Sequence, residues 1–339
     1  MPKHEAEFYE KKEDNKIHCY LCPNDCLILP GKKGRCNVRK NVDGTLYALN
    51  YGVAMSGTRD PVEKKPLYHY YPGECAFSYG TIGCNLFCQF CQNWHIARAQ
   101  PEDINLELHS LSPENAVQKA KRSGCPIVAY TYNEPIIWYE WVKDTAKLMQ
   151  NAGIKNVLVT NGYIHSEPLE ELLPYIDAAN VDLKGDEHFY NELCKVKGHD
   201  KVKQTCKMMK DAGVHLEITN LLVTNKNDSE EQIENRVKFI VEELGADVPI
   251  HFSRYFPHYK LKLPPTPVER LTQARKIALN AGLHYVYLGN VPDDDYSNTF
   301  CKECDALLVK RTGYRVRLKN ISDENTCENC GASIDIILD

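Results

Sequence analysis

Short apolar runs alternate with amphipathic stretches along most of the chain. Runs at 76–82, 126–132, 156–161, 179–183, 215–223, 250–256 and 285–290 carry the β-branched, aromatic and aliphatic residues of buried strands. Between them, 113–122, 136–151, 230–244 and 268–281 repeat apolar positions every three or four residues, the period of a helix with one buried face. Ser112 before Pro113 predicts a helix start, and Gly153 and Gly213 predict helix stops. Strands alternating with helices build βαβ units and hence a parallel sheet. Six or seven such units predict an α/β fold, a partial (β/α)6-type parallel barrel over 74–291. Residues 1–73, with a strand expected at 45–52, and residues 292–339 stand apart as small Cys-rich elements.

Composition narrows the class. A chain of 339 residues, 43% hydrophobic and 26% charged, can bury one large core with small satellites. A net charge of -5 gives no general attraction to nucleic acid or to anionic membranes. The first sixteen residues are charged rather than apolar, so no signal peptide is expected. No apolar run approaches the ~20 residues that span a bilayer. The fifteen cysteines gather in close pairs, which favours metal sites over a disulfide framework and predicts a reducing, oxygen-poor cytoplasm.

The cysteines also carry the chemistry. Cys84, Cys88 and Cys91 are spaced C-x-x-x-C-x-x-C directly after a predicted strand. Three thiolates on one short loop can hold three irons of a [4Fe–4S] cube and leave the fourth iron open to a ligand. Cys75 and Cys125 lie too far along the chain to close the site. Cys301, Cys304, Cys327 and Cys330 form two C-x-x-C knuckles, each able to give two sulfurs to a tetrahedral ion in a zinc-ribbon or rubredoxin-like unit; zinc is favoured over iron. Cys19, Cys22, Cys26 and Cys36 offer a third set, for zinc or a second Fe–S cluster.

The 84–91 loop closely resembles the signature of the radical S-adenosylmethionine (SAM) superfamily. That resemblance implies a [4Fe–4S] cluster whose open iron chelates SAM, reductive cleavage to methionine and a 5′-deoxyadenosyl radical, and Phe90 packed on the adenine. Thr131-Tyr132-Asn133-Glu134-Pro135 resembles the superfamily's G-G-E-P loop, with Tyr132 and Asn133 in the glycine positions and Glu134 as acceptor for the SAM amino group. Thr160-Asn161-Gly162 and Asp182-Leu183-Lys184-Gly185 resemble stretches of the glycyl-radical-enzyme activases, which implies cofactor contacts at Asn161, Asp182 and Lys184. Asn220, on the fifth strand of the predicted barrel, is a further candidate, and Arg254 and His258 are candidates for an anionic group. Val159 and Thr219 depart from the pyruvate formate-lyase activase pattern, which has aspartate and arginine there.

Over nearly the whole chain the match is to the radical SAM enzyme of the AmmeMemoRadiSam system, related to the pyruvate formate-lyase activating enzymes. The matching runs are Cys19-Tyr20-Leu21-Cys22-Pro23 with Gly34-Arg35-Cys36, Pro61 to His69, Cys91-Gln92-Asn93-Trp94, and Tyr285 to Val291. The resemblance implies a low-potential electron donor such as ferredoxin or flavodoxin and an association with Memo-like and Amme-type proteins. A glycyl-radical-enzyme activase is the nearest alternative. A metal-stabilised binding protein without catalysis is the alternative of another class, resting on Lys302, Lys310, Arg311, Arg315, Arg317 and Lys319 around the ribbon. Tyr314 is the lone aromatic among them, short of a base-stacking platform, so nucleic acid is not an expected partner.

Overall fold

The computed structural model describes residues 4–55, 57–101, 108–292 and 294–339. Its central sheet has eight strands: β1 (Thr58–Pro61), β2 (Cys75–Tyr79), β3 (Ile127–Tyr130), β4 (Lys155–Thr160), β5 (Ala178–Asp182), β6 (His215–Leu222), β7 (Ile250–Arg254) and β8 (Val286–Gly289). Their order across the sheet is their order in sequence. β2 to β8 pair in parallel, and β1 adds antiparallel to β2 at the edge. The seven predicted strands are all present and form the expected partial barrel. β1 is new: its segment reads as a connection, and Pro61 at its end is tolerated because it sits on an edge strand.

Helices α1 (Pro113–Ser123), α2 (Tyr139–Asn151), α3 (Ser166–Leu172), α4 (His199–Asp211), α5 (Glu230–Phe239) and α6 (Val268–Asn280) connect the strands. Ser112 caps α1 by accepting from the Asn115 N–H at 3.3 Å, and Gly124, in the left-handed region at φ 71°, ends it. The predicted stops at Gly153 and Gly213 also take positive φ. The helices pack their apolar faces on the sheet, with Trp138 stacked on Trp141 at 3.7 Å between ring centres in the core. Among the described residues no helix is long and apolar enough to cross a membrane.

The two ends of the parallel sheet differ. At the amino end, a disulfide joins Cys75, at the start of β2, to Cys125, just before β3. Reading the cysteines as metal sites did not anticipate this bond. It follows from the register, which sets Ala76 beside Ile127. The Cys-rich C-terminal segment docks at the same end. Its Arg311 is fully buried, donates to the Tyr68 carbonyl at 2.6 Å and Thr299 Oγ1 at 2.8 Å, and lies 3.7 Å from Glu63. Lys302 is paired with Asp247 and Asp335. Two of the six cations read as a surface patch are therefore spent inside the fold.

Candidate functional site

The carboxyl ends of β2 to β8 converge on a cavity of about 580 Å³. β2 runs out at Tyr79 into the loop that carries Cys84, Cys88 and Cys91. Many contacts fix this loop. Gly83 N–H donates to the Ile96 carbonyl at 2.9 Å, Phe87 N–H to Cys194 at 2.9 Å and Gln89 N–H to Leu193 at 2.9 Å. Arg98 donates to the carbonyls of Cys84 and Leu86 at 3.0 and 2.6 Å, with its guanidinium 3.8 Å from the centre of the Phe87 ring. The three cysteines line the cavity. Burial pushes the thiols of Cys84 and Cys91 up, Cys91 to about 11, while Cys88 is raised first by a hydrogen bond with Cys194 and then by burial. Buried thiols of this kind lose their protons to a metal that supplies the compensating positive charge.

The loop after β3 is tied to the cysteine loop. Asn133 donates to the Gly83 carbonyl at 2.8 Å and accepts from the Thr81 N–H at 3.1 Å. Tyr132 stands where the resembled pattern has glycine and takes φ 75°. That left-handed conformation costs a non-glycine residue about 1–2 kcal/mol, and it keeps the loop's shape.

Glu134 follows, 1% exposed. One carboxylate oxygen accepts from the Ile136 N–H at 3.0 Å and Thr160 Oγ1 at 2.6 Å, the other from the Asn161 N–H at 2.8 Å. Burial raises its pKa to about 7 against the pull of these three donors, with the Asp182 charge adding to the rise. It caps the short helical turn Pro135–Trp138 and also lines the cavity. Asn161, at the end of β4, donates to Asn85 Oδ1 at 2.8 Å and approaches Cys84 Sγ at 3.8 Å. At the end of β5, Lys184 donates to Asp182 at 2.8 Å. Burial alone would depress the Lys184 ammonium, but Asp182, with Cys88 and Cys194, outweighs it and raises the pKa.

Phe90, Glu134, Asn161, Asp182 and Lys184 thus share one cavity with the three cysteines. Asn220 does not line it. Its amide is buried and donates to the carbonyls of Leu183 and Lys184 at 2.8 and 3.2 Å, so it shapes the loop that presents Lys184. The neighbouring Thr219 and Leu221 reach the cavity instead, and among the described residues the buried Thr219 hydroxyl has no partner. Arg254 donates to the Thr266 carbonyl at 2.7 Å and His258 is exposed, both outside the cavity wall. Two contributors escaped the sequence. Cys194, a lone cysteine with no spacing signal, meets Cys88 behind the wall, and Lys65, on the wall itself, is buried against Asp60 at 2.7 Å.

In the ribbon, Cys301 and Cys330 lie 3.7 Å apart, as do Cys304 and Cys327, and all four sulfurs fall within 4.8 Å of one another. A tetrahedral ion with metal–sulfur bonds of about 2.3 Å separates its sulfurs by about 3.8 Å. The quartet can hold one metal ion.

Comparison with known proteins agrees with this geometry. The family model described as "Radical SAM superfamily" matches residues 78–240. An uncharacterized protein of Methanocaldococcus jannaschii is 44% identical over 336 residues, covering 98% of this chain and 99% of that one. The pyruvate formate-lyase-activating enzyme of Clostridium pasteurianum is 26% identical over 164 residues, 47% of this chain and 66% of that one. Among solved structures, a radical SAM methyltransferase from Sphaerobacter thermophilus aligns over 70% of this chain and 71% of its own, with a TM-score of 0.51 at 16% identity, a likeness of fold. With three cysteines of the right spacing at the mouth of the first parallel strand, the chain belongs to the radical SAM superfamily of enzymes.

Proposed function

We propose that Cys84, Cys88 and Cys91 hold a [4Fe–4S] cluster and that the cavity beside them binds SAM. One observation carries the reading: the three thiols open into the same cavity as a buried carboxylate, an ion pair and an unpartnered hydroxyl, at the carboxyl ends of the strands. The residues fit the group. Three ligands leave one iron open, and the Thr219 hydroxyl is a buried polar atom waiting for a partner. When bound, the reduced cluster supplies the electron that splits the sulfonium into methionine and a 5′-deoxyadenosyl radical. The chain does the rest. Glu134 accepts from the SAM ammonium, Lys184 faces its carboxylate as a point charge, Asp182 accepts from ribose hydroxyls, and Phe90 offers a face to the adenine. Asn161 orients both Glu134 and the Cys84 side of the loop, and Asn220 holds the backbone on which Lys184 stands. The cluster needs a low-potential donor of the ferredoxin or flavodoxin type.

Val159 and Thr219 both line the cavity. The two departures from the activase pattern therefore fall on the substrate-binding wall, which favours a substrate other than a glycyl-radical enzyme. The AmmeMemoRadiSam system remains the finer assignment supported by the matching runs, with Memo-like and Amme-type proteins as associates. Anaerobically reconstituted protein should give a [4Fe–4S] electron paramagnetic resonance (EPR) signal that changes on adding SAM, and should release 5′-deoxyadenosine. A Cys88→Ala variant that kept both properties would refute the assignment.

A further inference from the structure

The N-terminal cysteines sit against the catalytic loop. Cys19, Cys22, Cys26 and Cys36 surround a small cavity that Asn85, the residue after Cys84, also lines. Asn24 bridges the two sites: its amide donates to the Asn85 carbonyl at 2.9 Å and lies 3.6 Å from Cys22 Sγ. The backbones touch as well. A Cβ on Gly83 would lie 2.6 Å from the Cys36 carbonyl oxygen, so only glycine allows this approach.

The thiols are prepared as ligands. The Asn24 amide nitrogen lies 3.6 Å from Cys22 Sγ and Arg39 Nη1 lies 3.8 Å from Cys19 Sγ. Such donors are what cluster thiolates receive in Fe–S proteins.

The spacing of the sulfurs bears on the kind of metal. The ribbon quartet packs its sulfurs within 4.8 Å, the dimension of a single ion, whereas among the described residues no three of the N-terminal four lie that close together. The Cys84, Cys88 and Cys91 trio is likewise wider than the ribbon. A cluster, with iron and sulfide lying between its thiolates, takes a wider sulfur spacing than a single ion does.

We infer that Cys19, Cys22, Cys26 and Cys36 ligate a second [4Fe–4S] cluster, closed by four cysteines, that passes electrons to the catalytic site through the Asn24–Asn85 contact. Each transfer moves one electron and no proton. A low-potential iron–sulfur or flavin protein is oxidised as the second cluster is reduced, and that cluster is reoxidised as the open-iron cluster gains the electron. The site rests on the cysteine geometry alone; the electron's destination rests on the proposed function above.

The test begins with the wild-type holoenzyme, purified anaerobically and analysed for iron, sulfide and zinc. Two cubes give about eight cluster irons per chain, one cube about four. About four cluster irons with zinc in excess of the ribbon ion would overturn the proposal. A Cys22→Ala/Cys26→Ala variant should lose about four irons, keep the SAM-dependent change in the remaining EPR signal, and be reduced by ferredoxin at least an order of magnitude more slowly than wild type. An unchanged rate of reduction with the irons lost would overturn the relay. Loss of iron in the variant, with no SAM effect on the wild-type signal, would instead sink the proposed function and leave the second cluster standing.

Discussion

Replacing Glu134 by Gln should destabilise the protein at low pH but not at high pH. The carboxylate is 1% exposed and accepts from two main-chain N–H groups and one hydroxyl. The Gln amide has a single acceptor, so in either orientation its NH2 faces one of the N–H groups, at a cost of about 1–3 kcal/mol. The wild type has its own liability. With a folded pKa of about 7 against 4.5, the folded state keeps a proton that the unfolded chain releases, so stability is fully present below pH 4.5 and lost as pH rises to 7. A gap of this size is worth about 3 kcal/mol. The substituted amide does not titrate. The variant should therefore be the less stable protein at pH 5 and equal to or above wild type at pH 8.5. Paired thermal melts of cluster-free protein at the two values cancel the titration of every other group. A difference that is independent of pH, or that moves in favour of wild type as pH rises, would refute the reasoning. The stability forgone above pH 7 is what an incoming ammonium recovers, so the same substitution should weaken SAM binding most on the alkaline side.

Three further outcomes follow from the contacts. Cys194→Ala should retain cluster assembly and SAM cleavage, because the open iron belongs to SAM; loss of the SAM-dependent EPR change would instead make Cys194 a ligand. Arg311→Ala strips a buried cation from Glu63 and from the carbonyl and hydroxyl acceptors around it, and should cost ~3–5 kcal/mol in thermal or denaturant unfolding, with Arg311→Lys a poor rescue. Chelating the ribbon ion should expose 292–339 to protease while the SAM-dependent EPR change persists, since metal supplies much of the folding energy of so small a unit; a ribbon equally resistant with and without metal would contradict this.

What could be read from the sequence was what is local or periodic. The cysteine loop is a spacing along eight residues, and Glu134, Asn161 and Asp182 were found through their resemblance to superfamily motifs, each at the end of an apolar run on the face where parallel sheets bind ligands. What could not be read depends on pairing. Cys75 and Cys125 are fifty residues apart and meet only because β2 and β3 are neighbours in register. Cys194 reaches Cys88 because the catalytic loop pairs its backbone with residues 193 and 194. Arg311 resembles its exposed neighbours in composition, and burial against Tyr68 is a tertiary event. Asn220 was assigned to the cofactor from its place at a strand end, but alternation along β6 turns its neighbours Thr219 and Leu221 into the cavity instead.

Two buried glutamates at opposite ends of the same sheet show how the fold separates stability from chemistry. Glu217, near the amino end of β6, accepts from the Tyr68 and His69 N–H groups at 2.8 and 2.7 Å and from His215 and His251 at 3.0 and 2.6 Å. Although burial raises its pKa, the two histidines overcome this and hold it well below the ordinary value, so the charge is fully answered within the protein. It fastens the 61–73 segment beneath the barrel. Glu134, at the carboxyl end, has three neutral donors, a nearby Asp182 charge and, among the described residues, no cation paired with it, and its pKa moves the other way. A buried carboxylate whose neutral donors leave a lone pair free and its charge unanswered has a use for an external cation. Equal burial at the two ends therefore leads to different roles: the amino end consumes its charges in holding the strap and ribbon, and the carboxyl end leaves one charge unanswered where the cysteines open.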